Sequence, residues 1–150
     1  MAKFKYKMQS ILSIKEKLEG QAKVEFGTAR RELDLELDRL LALQKERERY
    51  LDEGKKLREG SVKLRDINDN RNYIEKIEYL EEEQNKRIDN AKKKLEEKRI
   101  ALTSVRQERM MQEKLRDKAF ERFLEEENAA EALENDQHTS FIYGQKTMDK

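Results

Sequence analysis

Three features of this sequence are of types that can do chemistry: the histidine His138, the glutamate run Glu81-Glu82-Glu83, and the glycines Gly54 and Gly60. Histidine can bind a metal or move a proton near neutral pH. His138 is the only histidine and there is no cysteine, so no second imidazole or thiolate is present to complete a metal set. An exposed polar residue is the plainer reading. Neighbouring carboxylates can work as acid and base where a cleft perturbs their pKa values. A run of three on a highly charged chain reads more simply as a solvated helix face. Gly54 and Gly60 fit neither G-x-x-x-x-G-K-[ST] nor G-x-G-x-x-G, the two glycine patterns that cradle phosphate. The sequence therefore predicts no catalytic residue, no metal, no cofactor and no small-molecule substrate.

The elements around these residues explain why. Charged residues make up 45% of the chain and apolar ones 35%, too little for a thick core but enough for a narrow seam between two helices. Disorder is the competing reading of such a composition. Against it, 34 basic and 33 acidic residues are interleaved, giving a net charge of only +1, so helical neighbours can attract. The same balance argues against nucleic acid as a partner, because such binding leaves a basic footprint. Proline is absent and glycine occurs five times; inside a helix they cost about 3 and about 1 kcal/mol. No 18-residue apolar run exists to span a membrane, and Met1-Ala2-Lys3-Phe4-Lys5-Tyr6 lacks the apolar stretch of a signal peptide. The lack of cysteine fits the cytosol.

Apolar spacing predicts an all-α fold: a long antiparallel two-helix coiled coil forming a single domain over residues 1–150. The first helix is expected over about 4–56. Phe4, Met8, Ile11, Leu18, Ala22 and Ala29 follow four- and three-residue steps, with Lys15 and Glu25 as polar breaks. The stripe then shifts to Leu33, Leu37, Leu40, Leu43 and Tyr50, which reads as a stutter near Leu33. A connector, with a short helix capped by Ser61, is expected over about 57–72, where Asp66, Asn68, Asp69, Asn70 and Asn72 offer the backbone alternatives to helix. The second helix is expected over about 72–135 on Ile74, Ile77, Ile88, Ala91, Leu95, Leu102 and Val105. A flexible tail should follow over 136–150. Folding near residue 65 sets Leu40 against Ile88–Ala91, and Phe4, Met8 and Ile11 against Phe120, Phe123 and Leu124. Leu12, Ile14, Leu35, Leu41 and Tyr79 lie off the stripe and are candidate contact residues. Met110-Met111 is expected to pack, with at least one of the pair partly exposed.

The stretch Phe4-Lys5-Tyr6-Lys7-Met8-Gln9-Ser10-Ile11-Leu12, then Lys15-Glu16-Lys17 and Gln21-Ala22-Lys23, resembles the start of flagellar FliJ proteins. The likeness continues through Gly60-Ser61-Val62 and Leu64 to Tyr73-Ile74-Glu75, and on to Leu115 and Glu125–Glu134. The resemblance implies a non-enzymatic part of the flagellar type III export apparatus, at the cytoplasmic face of the membrane and held there only by protein partners. It implies a stalk-like coiled coil that binds the hexameric export ATPase FliI and the export gate FlhA, and that escorts export chaperones. The implied gate surface is Leu40, Leu43, Tyr73, Ile77, Leu80 and Gln84. The implied ATPase-ring surface is Phe4, Met8, Ile11, Phe120, Phe123 and Leu124. Two alternatives stay open: a generic scaffolding coiled coil, and the equivalent stalk of a virulence-type secretion system or rotary ATPase.

Overall fold

The computed structural model of the protein describes residues 2–148. Two helices form, α1 over Gln9–Leu57 and α2 over Leu64–Met148, packed against each other as a helical hairpin. Two compact units are distinguishable. One joins the chain up to Glu19 with the stretch from Ser104 onward, and the other is Gly20–Thr103. Within each, pairing is antiparallel. Lys15 meets Glu108 and Glu19 meets Arg106 in the first; Glu25 meets Lys98, Glu32 meets Lys94 and Tyr50 meets Tyr73 in the second.

The boundaries differ from expectation in ways local chemistry explains. α1 begins at Gln9, not near residue 4, where the Gln9 amide donates to the Tyr6 carbonyl at 3.1 Å. Before it, Phe4 and Tyr6 are half-buried while Lys3, Lys5 and Lys7 are exposed. α1 ends at Leu57, with Lys55 and Lys56 in its last turn, where cations favour the helix dipole. The Glu59 amide donates to the Lys56 carbonyl, and Gly60 takes φ +80°, a conformation open to glycine at little cost. The connector is thus much shorter than 57–72. Asp66, Asn68, Asp69, Asn70 and Asn72 lie inside α2, and no separate short helix is present among the described residues.

At the other end, residues 136–148, expected as a tail, are the last turns of α2. Ala129, Ala130, Ala132 and Leu133 are strong helix formers leading into them, and nothing before Gly144 interrupts the chain. The Thr147 hydroxyl bonds back to the Tyr143 carbonyl at 2.8 Å. Residues 149 and 150 of the expected tail lie outside the described residues.

The seam of α1 also differs. Its buried and half-buried positions step through Lys15, Glu19, Ala22, Phe26, Ala29, Leu33, Glu36, Leu40, Leu43, Arg47, Tyr50, Gly54 and Leu57. These alternate three- and four-residue steps without a stutter at Leu33. Leu18 and Leu37, assigned to the stripe for being apolar, are exposed, and their neighbours Glu19 and Glu36 take the seam. Leu12, placed off the stripe, is the most buried large side chain at 0% exposure. Met110 and Met111 are both exposed, because Arg109 and Gln112 take the inward positions.

Polar seam residues meet across the hairpin, which is what burying them demands. Glu19 faces the guanidinium groups of Arg106 and Arg109. The Gln84 amide donates to the Glu36 carbonyl at 2.9 Å and to the Glu36 carboxylate. Arg47 pairs with Glu81 at 3.1 Å, and Asn70 donates to the Tyr50 carbonyl at 2.8 Å. Such pairs specify register, since a one-heptad slip would strand each of them.

Gly54 belongs to this arrangement. A Cβ there would stand 2.6 Å from the Asn70 carbonyl oxygen. Alanine at 54 should gain about 1 kcal/mol of helix propensity. It should also displace Asn70 from its hydrogen bond, a loss of about 1–3 kcal/mol. Gly54→Ala is therefore expected to lower the melting temperature of the wild-type protein yet raise it in an Asn70→Ala background. A double-mutant cycle checks this; the same sign in both backgrounds would show that the two residues do not compete for the space.

Candidate functional site

Two surfaces gather the residues singled out in the sequence, one in each unit. In the unit containing the chain start, the Phe4 ring meets Phe120 at 5.1 Å in an edge-on arrangement and Phe123 at 5.4 Å. Phe120 and Phe123 stand 6.4 Å apart. A short lead before α1 can hold this position because its side chains alternate. Phe4 and Tyr6 turn toward α2, and the Tyr6 hydroxyl donates to the Gln112 side-chain oxygen at 3.3 Å. Ile11 is half-buried, while Met8, Phe120 and Leu124 keep large exposed areas. The result is an aromatic cluster with an open apolar margin. Beside it, Lys3, Lys5, Lys7 and Arg122 line a shallow groove with Phe123 and Glu126. Sequence reasoning named the aromatics and passed over the cations, whose signal was the alternation of Lys with Phe and Tyr over residues 3–7.

The second surface lies in the unit Gly20–Thr103. Tyr73 is 52% exposed and stacks on Tyr50, centroids 5.4 Å apart and planes within 9°. Arg49 lies 5.1 Å from the Tyr50 ring centre, a cation–π distance. Leu80 is exposed, and Tyr79, not counted in this surface, is more so. Asp69, Asn72 and Lys76 line a hollow beside Tyr73. The remaining four residues are less accessible. Leu40 and Leu43 are half-buried in the seam, and Ile77 is core. Gln84, named in the implied gate surface, is 6% exposed and committed to Glu36. Only Tyr73 and Leu80 of the six present substantial surface to a partner.

Electrostatics in both units is local pairing. The hydrogen bonds that Arg109 donates to Glu113 and then to Glu19 raise its pKa. The Arg99 guanidinium lowers that of Glu96, and Glu83 raises that of Lys86. Lys86 donates to Glu83 at 3.1 Å. The exposed pairs Arg99–Glu96 and Lys86–Glu83 add little stability. No cluster of three or more His, Cys, Asp or Glu side chains among the described residues is placed to hold a metal. No helix of the described residues is long and apolar enough to cross a membrane.

A family model described as flagellar FliJ protein matches residues 4–147. The search of curated proteins found no match. Among solved structures, a candidate YscO homolog, CT670, from Chlamydia trachomatis is similar with a TM-score of 0.65 and 21% identity. The match covers 99% of this chain and 100% of that one, and speaks to a shared fold.

Proposed function

The chain belongs to the flagellar FliJ protein family, a component of type III export, and from that premise we propose that it serves as the coiled-coil stalk of the export machinery. It acts by binding, not by catalysis. The unit bearing Phe4, Met8, Ile11, Phe120, Phe123 and Leu124 enters the ring of the export ATPase FliI and promotes hydrolysis. The surface around Tyr73 and Leu80 contacts the export gate FlhA, and the protein escorts export chaperones. It works at the cytoplasmic face of the membrane, held there by these partners.

The observation that carries the ATPase reading is the aromatic cluster. Phe4 is brought to Phe120 and Phe123 by a lead with little else to anchor it, and the margin left open is apolar and rimmed with cations. Aromatic side chains, methionine and arginine are enriched where proteins bind one another.

The test is purification with the hexameric ATPase, followed by an ATP hydrolysis assay. Wild-type protein should co-purify and stimulate turnover. A form lacking residues 1–12 and the end of α2, shown by circular dichroism to remain helical, should lose most of that stimulation. Full stimulation by the folded truncation would remove the cluster from the ATPase contact.

A further inference from the structure

We propose that the unit containing the chain start binds the surface of an anionic lipid bilayer directly, through one lysine-rich side. Arg122 joins the two parts of that side. It lines a groove with the exposed Lys3, Lys5 and Lys7 of the lead, and it also belongs to a stripe along α2. At about 100° per residue, Met111, Leu115, Lys118 and Arg122 fall within about 60° of one another, with Lys114 about 40° beyond Lys118 at the edge. Met111 is 64% exposed and Leu115 50%. Acids are few here. Glu113, Asp117 and Glu121 lie about 60° or more outside the stripe, and Glu108 is taken by Lys15 at 2.8 Å. Glu125 and Glu126 return acid to this side only past Arg122. Among the described residues Lys3, Lys5, Lys7, Lys114, Lys118 and Arg122 make no ion pair, whereas Arg106 and Arg109 of the same unit both do.

The charge of this side calls for an anionic partner, and the kind of cation favours lipid over an acidic protein. All but Arg122 are lysines. Arginine, whose planar fork matches a carboxylate, is enriched where proteins bind one another, and lysine is depleted there. A lysine ammonium is a point charge on a flexible stem, which suits headgroups that hold no fixed position. Clusters of roughly four to eight cations on an amphipathic helix hold to anionic lipid, each adding about fivefold in affinity. Met111 and Leu115 stand among these cations, where apolar side chains enter the boundary between headgroups and acyl chains. Of the surface assigned to the ATPase, the exposed Phe120 and Leu124 lie about 140–180° round the helix from Met111, so a bilayer on this side leaves them open. The hold on lipid is additional to the protein partners that the family resemblance implies, and the inference does not rest on the export reading.

The test is flotation of the full chain with lipid vesicles. Vesicles rich in phosphatidylglycerol should carry the protein, and vesicles of phosphatidylcholine alone should not. Lys5→Ala with Lys118→Ala should weaken binding about tenfold or more, with helix content unchanged by circular dichroism. Lys92→Ala with Lys93→Ala removes the same charge from exposed positions in the other unit and should change binding less than about twofold. Met111→Ser with Leu115→Ser should weaken the binding that survives in high salt. The proposal is overturned by a protein that does not float with the anionic vesicles, or by equal losses in the two lysine pairs. It is overturned as well by an oligoglutamate peptide that binds more tightly than the vesicles and depends on Lys118, which would give this side to an acidic protein.

Discussion

Leu12→Ala should destabilise the protein by about 3 kcal/mol, while Leu18→Ala should cost under ~1 kcal/mol, although both are leucines six residues apart on one helix. Leu12 is 0% exposed and Leu18 is 39% exposed. Truncating the first removes buried area and leaves a void in a layer only two helices thick. That layer lies between the Tyr6–Gln112 hydrogen bond and the Lys15–Glu108 ion pair. Truncating the second removes area that water already reaches. Chemical denaturation of the two variants checks this. Equal losses would mean that the seam runs through Leu18 after all, with Glu19 turned outward.

The second large effect is on binding. Tyr73→Ala should weaken association with the gate protein FlhA at least fivefold, the fold-change expected when an interface anchor worth over about 1 kcal/mol is truncated. The variant also loses the stack on Tyr50, so its stability should fall by about 0.5–1.5 kcal/mol. Leu80→Ala separates the two causes, because Leu80 is exposed and is not part of the Tyr50–Tyr73 stack. It should weaken binding while melting nearly as wild type does. Pulldowns beside melting curves for both variants provide the measurement. Undiminished binding by both would place the gate contact on another face.

Much of this structure was legible in the sequence, and the exceptions share a cause. The α2 seam was read correctly at Ile74, Ile77, Ile88, Ala91, Leu95, Leu102 and Val105, because apolar residues occupy it and period alone identifies them. The meeting of Phe4 with Phe120 and Phe123 followed from folding one stripe onto the other. The α1 seam was misread where polar residues face inward. Glu19 is inward because Arg106 and Arg109 await it, and Glu36 because Gln84 does. Neither partner is visible in local spacing, so Leu18 and Leu37 looked the better seam residues.

The same reasoning applies to Asn70. An asparagine in a polar cluster signals a turn when read locally, but here its amide is satisfied by the Tyr50 carbonyl of the other helix. The last turns of α2 failed in the opposite direction. They carry no stripe that another part of the described chain covers, so periodicity predicted no helix, while helix propensity and the absence of a breaker carry it on to Met148. At the candidate gate surface, Tyr73 and Leu80, which the family resemblance named, are exposed. Ile77 and Gln84 came with them because they share a helical face by number, although the seam claims both.

The central claim is a hairpin whose register is set by polar pairs buried in its seam, and disulfide mapping tests it most directly. With no native cysteine, any bond formed reports the introduced pair. Cysteines at Glu36 and Gln84 should form an intramolecular disulfide rapidly under mild oxidation, because these residues meet across the helices. Cysteines at Glu36 and Lys98, two heptads from Gln84, should remain reduced, because Lys98 meets Glu25 instead. Rapid bonding of the second pair with the first unreacted would contradict the register, and with it the assignment of Glu36 and Gln84 to the seam.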